Sequence, residues 1–231
     1  APADRGAGLA LLRAVAEAAR AGALGLDAAV ERLGRVRGER PELAERAVLL
    51  EAELLFQAER FAAAARTYSR GLEAAPGNPD LLYGRGLARA ELGDIDGAEA
   101  DLRRVLERKP EDPYALNALG YTLANQGRRL EEAESLIDRA LAQKPESAAI
   151  LDSKGWLLYR QGRLEEALGY LERAFAEQGG GEIGAHLGEV LWELGRRQRA
   201  REVWGKAWEA DPGHPLLQET LEAYGVGPDA L

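Results

Sequence analysis

Residues 112–145 read DPYALNALGYTLANQGRRLEEAESLIDRALAQKP. Leu116, Leu119 and Leu123 fall at three- and four-residue steps. Beyond Gly127, Leu130, Ala133, Ile137 and Leu141 do the same. That periodicity predicts two amphipathic helices joined by a turn. Asp112-Pro113 is a helix start, because proline at the first helical position costs no hydrogen bond. Asn78-Pro79 and His214-Pro215 carry the same signal, and Ser147 is expected to cap another start. Outward from this stretch the pattern recurs. Pro41, Pro76, Pro110 and Pro145 are spaced by 35, 34 and 35 residues, and Pro212 follows after 67, two periods later. Gly179-Gly180 fills the skipped slot. Small residues keep the same phase: Ala52, Gly86, Gly120, Gly155 and Gly188 early in each unit, then Ala64, Ala98, Ala133, Ala167 and Ala200. Helices cross closely only where a side chain is nearly absent, so these positions are expected to be crossing points. Gly93, Gly127, Gly162 and Gly195 mark the turns.

Composition agrees with an all-helical chain. Alanine occurs 43 times and leucine 37 times in 231 residues, whereas valine and isoleucine together give 12. Strands favour β-branched residues, so an all-β fold is excluded. No apolar run approaches the roughly 20 residues that span a bilayer. The net charge of -9 repels phosphate and argues against nucleic acid as a partner. Cysteine is absent, which removes disulfides, thiolate metal sites and cysteine nucleophiles. Methionine is absent too, so Ala1 is expected to be a cut end with any signal peptide or lipid anchor upstream.

The repeated unit resembles the tetratricopeptide repeat (TPR) family, strongly over residues 42–212 and weakly over 7–40. The family's Leu-Gly step stands as Leu119-Gly120 and Leu187-Gly188. Its second-helix pattern stands as Ala98, Leu102, Val105, Pro110 and as Ala133, Ile137, Ala140, Pro145. Arg128-Arg129 adds one residue to a turn, and the fifth unit opens through Gly179-Gly180-Gly181 without its proline. The resemblance implies an all-α, right-handed superhelical solenoid of antiparallel helix pairs. Residues 1–41 are expected to form a degenerate repeat. Five units follow at 42–76, 77–110, 111–145, 146–180 and 181–212. Residues 213–231 are expected to supply a capping helix and a frayed tail, since repeat stacks expose an apolar face at each end.

Chemistry-bearing motifs are sparse. His186 and His214 lie in different elements with no second histidine nearby, so packed or solvated histidines are expected and no metal site. Gly179, Gly181 and Gly184 match G-x-G-x-x-G, but no strand precedes them, and an inter-repeat turn is expected. No nucleophile–base constellation is present, so neither catalysis nor a cofactor is expected; an enzyme on a helical scaffold is the alternative class.

A surface remains. In TPR proteins the first helices of successive units line a concave groove. Carried over, its positions are Asp80, Tyr83, Leu87 and Glu91; Tyr114, Asn117, Tyr121 and Asn125; Asp152, Trp156, Tyr159 and Arg160; and Glu182, His186, Glu189 and Trp192. The partner-binding set expected from them is Tyr83, Tyr114, Asn117, Tyr121, Asn125, Asp152, Trp156, Tyr159, Arg160, Glu189 and Trp192. Aromatics and arginine are the usual interface anchors, and asparagine can pair with an extended backbone. Several aromatics could instead fill gaps between helices, Tyr159 and Trp192 above all. The lysines of a carboxylate clamp are missing, so an acidic chaperone tail does not fit.

Residues 112–220 are similar to something narrower. The segments 117–124, 149–156, 159–162 and 185–192 resemble the C-terminal repeats of proteobacterial outer-membrane TPR lipoproteins, of which at least one is an adaptor for a periplasmic carboxyl-terminal processing protease. That implies a scaffold binding a protein or peptide, including a protease and its substrates, in the periplasm and lipid-anchored to the outer membrane. A cytoplasmic regulatory or co-chaperone-like module is the alternative, and self-association through the repeat ends is a variant.

Overall fold

The protein is described by a computed structural model in which residues 2–227 and Leu231 are placed. The described residues form thirteen α-helices and one short 3-10 turn, Pro41–Leu43. They divide into two compact units, Ala1–Pro110 and Glu111–Leu231.

The first unit contains α1 (Pro2–Arg20), α2 (Leu26–Glu39), α3 (Ala44–Gln57), α4 (Phe61–Ala74), α5 (Pro79–Glu91) and α6 (Ile95–Arg108). Each pairs with its neighbour in sequence, and α3 also touches α5. Leu12, Val15 and Ala16 of α1 join Leu33 of α2 and Ala47 and Leu50 of α3 in one core. Thus the segment with the fewest signature residues still buries a helical stripe.

The second unit contains α7 (Pro113–Asn125), α8 (Leu130–Gln143), α9 (Ala148–Arg160), α10 (Leu164–Glu177), α11 (Gly181–Glu193), α12 (Arg197–Ala210) and α13 (Pro215–Ala223). The first helices run side by side, α7 on α9, α9 on α11, and α11 on α13. Leu217 and Leu221 of α13 close the stack over Trp204 and Ala207.

Local chemistry explains the helix boundaries. The Asn78 side chain accepts the backbone N–H groups of Asp80 and Leu81, and Asp112 accepts those of Tyr114 and Ala115. Pro215 occupies the first turn of α13, but the His214 side chain caps nothing. Ser147 has the extended backbone of a cap, yet its hydroxyl accepts no N–H of α9, contrary to expectation. Gly93, Gly127, Gly162 and Gly195 all take positive φ, 62–77°. Glu59, one period before Gly93, adopts φ 58° without being glycine, and so does Arg129 (φ 47°), the residue added to the third turn.

The crossing points are tight. A Cβ on Gly120 would lie 2.6 Å from Ile137 Cγ1, and one on Gly155 would lie 2.5 Å from Leu171 Cγ. Ala64, Ala98, Ala133, Ala167 and Ala200 are fully buried. Gly181 and Gly184 are no loose turn: both lie inside α11, and a Cβ on Gly184 would strike the Ala207 methyl group at 2.3 Å. The tail also differs from expectation. Val226 is buried and its N–H bonds to the Leu221 carbonyl at 2.9 Å, because an apolar side chain there completes the cap. The remainder of the expected frayed tail, residues 228–230, lies outside the described residues.

Candidate functional site

Within Glu111–Leu231 the first-helix face is built around a buried centre. His186 Nδ1 on α11 lies 3.0 and 3.1 Å from the two carboxylate oxygens of Asp152 on α9. Its ring stacks on Trp156 with centroids 4.2 Å apart and planes 20° apart. His186, Asp152 and Trp156 are only 2%, 4% and 9% exposed. Two of the expected anchors, Asp152 and Trp156, are therefore floor rather than solvent-facing contacts. α9, which carries both, packs against α7 on one side and α11 on the other. The Tyr121 hydroxyl donates to Glu182 Oε1 at 3.1 Å, and this bridge between α7 and α11 spans the pair beneath.

Electrostatics matches the geometry. Burial presses the His186 pKa down, but the Asp152 charge and hydrogen bond, with Glu182 and Glu189 further off, outweigh it and leave the pKa raised. Tyr159 is pushed up to about 12, first by burial and then by Glu189, to which its hydroxyl donates at 2.8 Å. Tyr224, just beyond α13, is raised by burial and by Glu189, and its hydroxyl donates to Glu193 at 3.1 Å.

Around this floor the other expected residues form a rim. Trp156 Nε1 donates to Asn125 Oδ1 at 3.3 Å. The Arg160 guanidinium donates to the Asn125 carbonyl at 2.7 Å and lies over the Trp156 ring. Asn125 and Arg160 are exposed; Asn117, Tyr121, Tyr159, Glu189 and Trp192 are half-buried. Trp192 packs against Trp204 and Tyr224 and carries Arg197 and Arg201 over its ring. Tyr114, 53% exposed, stands at the outer end with Lys144 Nζ 5.0 Å from its ring centroid. Asn117 Oδ1 is buried with no hydrogen-bond partner among the described residues. Tyr83 belongs to residues 1–110, half-buried on α5.

Sequence reasoning missed Glu193 and Tyr224. Both follow the stripe one turn further, Glu193 at the end of α11 and Tyr224 in the cap, where no family groove position points. It also missed Lys154, which is buried between Glu134 (2.9 Å) and Asp138 (2.7 Å). Burial opposes its charge, yet those two carboxylates raise its pKa, while hydrogen bonds from Gln161 and Lys154 lower Glu134 to about 2. Lys154 directly precedes Gly155, where Leu119 and Leu187 precede Gly120 and Gly188. A charge in register with buried leucines was the available signal.

Asp152, Glu182 and His186 offer ligand atoms that all lie within 4.8 Å of one another. A divalent cation there would first have to displace the Asp152 contact on Nδ1. In the first unit a depression of about 710 Å³ borders Glu51, Thr67 and Arg70. Its acid is already partnered: Glu51 takes Arg37, Arg70 at 2.8 Å and Thr67 at 3.3 Å.

The sequence profile of the tetratricopeptide repeat family matches residues 19–79, 83–148, 128–182 and 153–215. The chain belongs to that family. It is 39% identical over 164 residues to TPR repeat-containing protein PA4667 of Pseudomonas aeruginosa, an alignment covering 71% of this chain and 28% of that one. The chain thus spans a little over a quarter of that relative. Among solved structures, the thermophilic TPR protein TTC0263 of Thermus thermophilus superposes with a TM-score of 0.70 at 25% identity, covering 79% of this chain and all of that one. YrrB, described as a TPR protein with an unusual peptide-binding site, gives 0.53 at 21% identity over 84% of this chain and 99% of its own. The all-α repeat fold and the general role of a protein-interaction scaffold follow from family membership. No described helix is long and apolar enough to cross a membrane.

Proposed function

We propose that the chain is a non-catalytic adaptor that holds a segment of a partner protein along the first-helix face of residues 111–231. One observation carries this reading: the exposed Asn125 and Arg160 and the partly buried Tyr159 and Glu189 border a buried floor of Asp152, Trp156 and His186, with the partly buried Trp192 on the same helix as His186. A preorganised floor lowers the ordering cost of binding, and aromatics with arginine are the side chains that anchor interfaces. The proposed setting is the bacterial envelope, with a periplasmic carboxyl-terminal processing protease or a cell-wall enzyme as partner and an upstream lipid anchor. The resemblance of residues 112–220 to envelope TPR repeats supports it. A cytoplasmic regulatory module is the competing location.

The test is a titration of the processing protease of the same organism against the wild type, Asn125→Ala, Tyr159→Ala and Trp192→Ala. Arg139→Ala, on the second helix α8, serves as the control. A loss of about 30-fold for at least one rim variant, against none for Arg139→Ala, is expected for an interface centre. Uniform binding across the series would move the interface off this face. A lipobox cysteine in the full open reading frame supports the envelope setting, and a leaderless start removes it.

A further inference from the structure

The floor of the first-helix face of residues 111–231 holds an open polar atom. His186 Nδ1 faces both carboxylate oxygens of Asp152, at 3.0 and 3.1 Å. A carboxylate only accepts, so Nδ1 carries a proton whatever the charge of the ring. The other nitrogen, Nε2, is therefore the one that gains and loses a proton. Among the described residues no hydrogen bond reaches it. It is not sealed in either: the buried side-chain atoms left without a partner are Asn117 Oδ1 and His214 Nδ1. Nε2 thus meets solvent, although His186 as a whole is buried.

Its surroundings narrow what fills that position. Trp156 covers one face of the ring, and Tyr121 of α7 stands with its ring centroid 6.3 Å away, its hydroxyl held by Glu182. Glu182 and Glu189 lie four residues before and three after His186, on the same side of α11. With Asp152 of α9 they raise the His186 pKa against the effect of burial, so Nε2 keeps its proton to higher pH than in an ordinary histidine. The cations nearby are engaged: Arg160 of α9 donates to the Asn125 carbonyl, and Arg197 and Arg201 of α12 lie over Trp192. α10 meets α11 through Ala174 and Tyr170; beside α13, His214 packs on Gly181 and Tyr224 donates to Glu193. A cation at Nε2 would meet an N–H donor. A carboxylate would join Asp152, Glu182 and Glu189 around one imidazolium. A neutral amide oxygen meets neither obstacle, and a protein segment offers one at every residue.

We propose that the Nε2–H of His186 donates to a main-chain carbonyl oxygen of the partner segment, which makes His186 a partner-contacting residue and couples binding to a proton. The proposal rests on the first-helix face being the partner site and adds which atom of the partner is read at its floor. Asp152 serves the contact by holding the ring with Nδ1 inward. A charged donor makes a hydrogen bond about twice as strong as a neutral one. Binding keeps the proton in place, so affinity is highest while His186 is protonated and falls as pH rises through its pKa.

The experiment reads Nε2 directly. The chain has two histidines, so nitrogen-15 histidine labelling gives two side-chain signal sets in NMR, and His214→Gln assigns them. The probe is an octapeptide of alternating alanine and serine, acetylated and amidated, at about 5 mM in the presence of EDTA. It has no titrating group, so any proton coupling belongs to the protein. The apparent pKa of Nε2 is expected to rise by about 0.5–1 on addition of the peptide, which corresponds to about three- to ten-fold tighter binding by the protonated form. Asn125 and Trp192 signals should shift with it, and His214 should not. An analogue with glutamate in place of serine should bind at least about three-fold more weakly. An unchanged Nε2 pKa, with Asn125 and Trp192 shifted, overturns the His186 contact and leaves the groove reading standing. A lowered pKa means that neutral Nε2 accepts a peptide N–H, and it overturns the contact too. Equal or tighter binding of the glutamate analogue overturns the neutral class. Absence of any shift on α7, α9 and α11 overturns the groove reading together with the contact.

Discussion

In residues 1–110 the buried acids lie between a first helix and its own second helix; in residues 111–231 the buried Asp152 lies between two successive first helices. Asp101 of α6 accepts two hydrogen bonds from Arg85 of α5, each 2.7 Å, and a third from Arg89 at 2.7 Å. Glu51 of α3 is likewise tied to Thr67 and Arg70 of α4. Glu51 also takes Arg37 of α2, so these acids hold helices of the first unit together. Asp152 instead meets His186 across the α9–α11 contact, beneath the exposed rim. The same helix pair therefore carries polar groups in two ways. Within a pair they serve the fold; between first helices they shape a surface. The distinction tells which buried charges to mutate when looking for function.

The largest expected effect breaks the second arrangement. Trp156→Ala removes a ring that is stacked on His186 and almost wholly enclosed. A loss of about 3–5 kcal/mol in unfolding free energy is expected, read from urea denaturation. A wild-type midpoint would return Trp156 to the rim. Asp152→Asn probes the same pair by pH. A histidine whose folded pKa is raised contributes stability that is fully present below its unfolded value and is lost as pH rises through the folded one. The stability difference between wild type and Asp152→Asn should thus be larger at pH 5.5 than at pH 8.5. The reverse order would mean that the pair is held neutral.

Next comes the first arrangement. Asp101→Ala leaves the Arg85 guanidinium, largely buried, without its carboxylate, and about 3 kcal/mol should be lost. In the third pair the positions of Arg85 and Asp101 are taken by Leu119 and Leu136, both buried. The double change Arg85→Leu with Asp101→Leu should therefore recover most of the loss, or exceed wild type. A double variant no better than Asp101→Ala would show that the pair does more than fill space. Smaller again is Gly120→Leu, expected to cost about 1–3 kcal/mol through collision with Ile137. Calorimetry with an unchanged melting temperature would mean that α7 and α8 can separate freely.

How much of this was legible in the sequence depends on the distance over which a residue acts. Gly120, Ala133 and the turn glycines act within one repeat, and their period declared them. The buried pair His186–Asp152 joins residues 34 apart, and the Tyr121–Glu182 bridge joins residues 61 apart. The first separation is one repeat period, so the pattern sets the two on adjacent first helices without declaring the contact; the second is no multiple of the period and depends on α7 and α11 both packing on α9. Trp156 therefore reads as an anchor from its groove position and turns out to be floor. Lys154 was readable in principle, as a charge in a column that also holds Glu51, Arg85, Leu119 and Leu187; its partners Glu134 and Asp138 on the preceding helix were not.

The smallest effect concerns helix starts, where the two units should behave alike. Asn78 before α5 and Asp112 before α7 each accept two backbone N–H groups, and Pro79 and Pro113 follow them. Those N–H groups have no intrahelical partner, so the side-chain oxygen replaces water with a fixed acceptor. Alanine at either position should cost about 1 kcal/mol. Asn78 also donates to Glu45 at 2.8 Å, so its loss should be the larger of the two. Ser147 occupies the same place before α9 but accepts nothing, and Ser147→Ala should change stability by less than about 0.5 kcal/mol. Three single variants measured by thermal melting decide the matter. Losses at both Asn78 and Asp112, the larger at Asn78, with none at Ser147, place the difference between the units in their buried charges and not in how their helices begin. A loss at Ser147 as large as at Asp112 would mean that its hydroxyl caps α9 in solution.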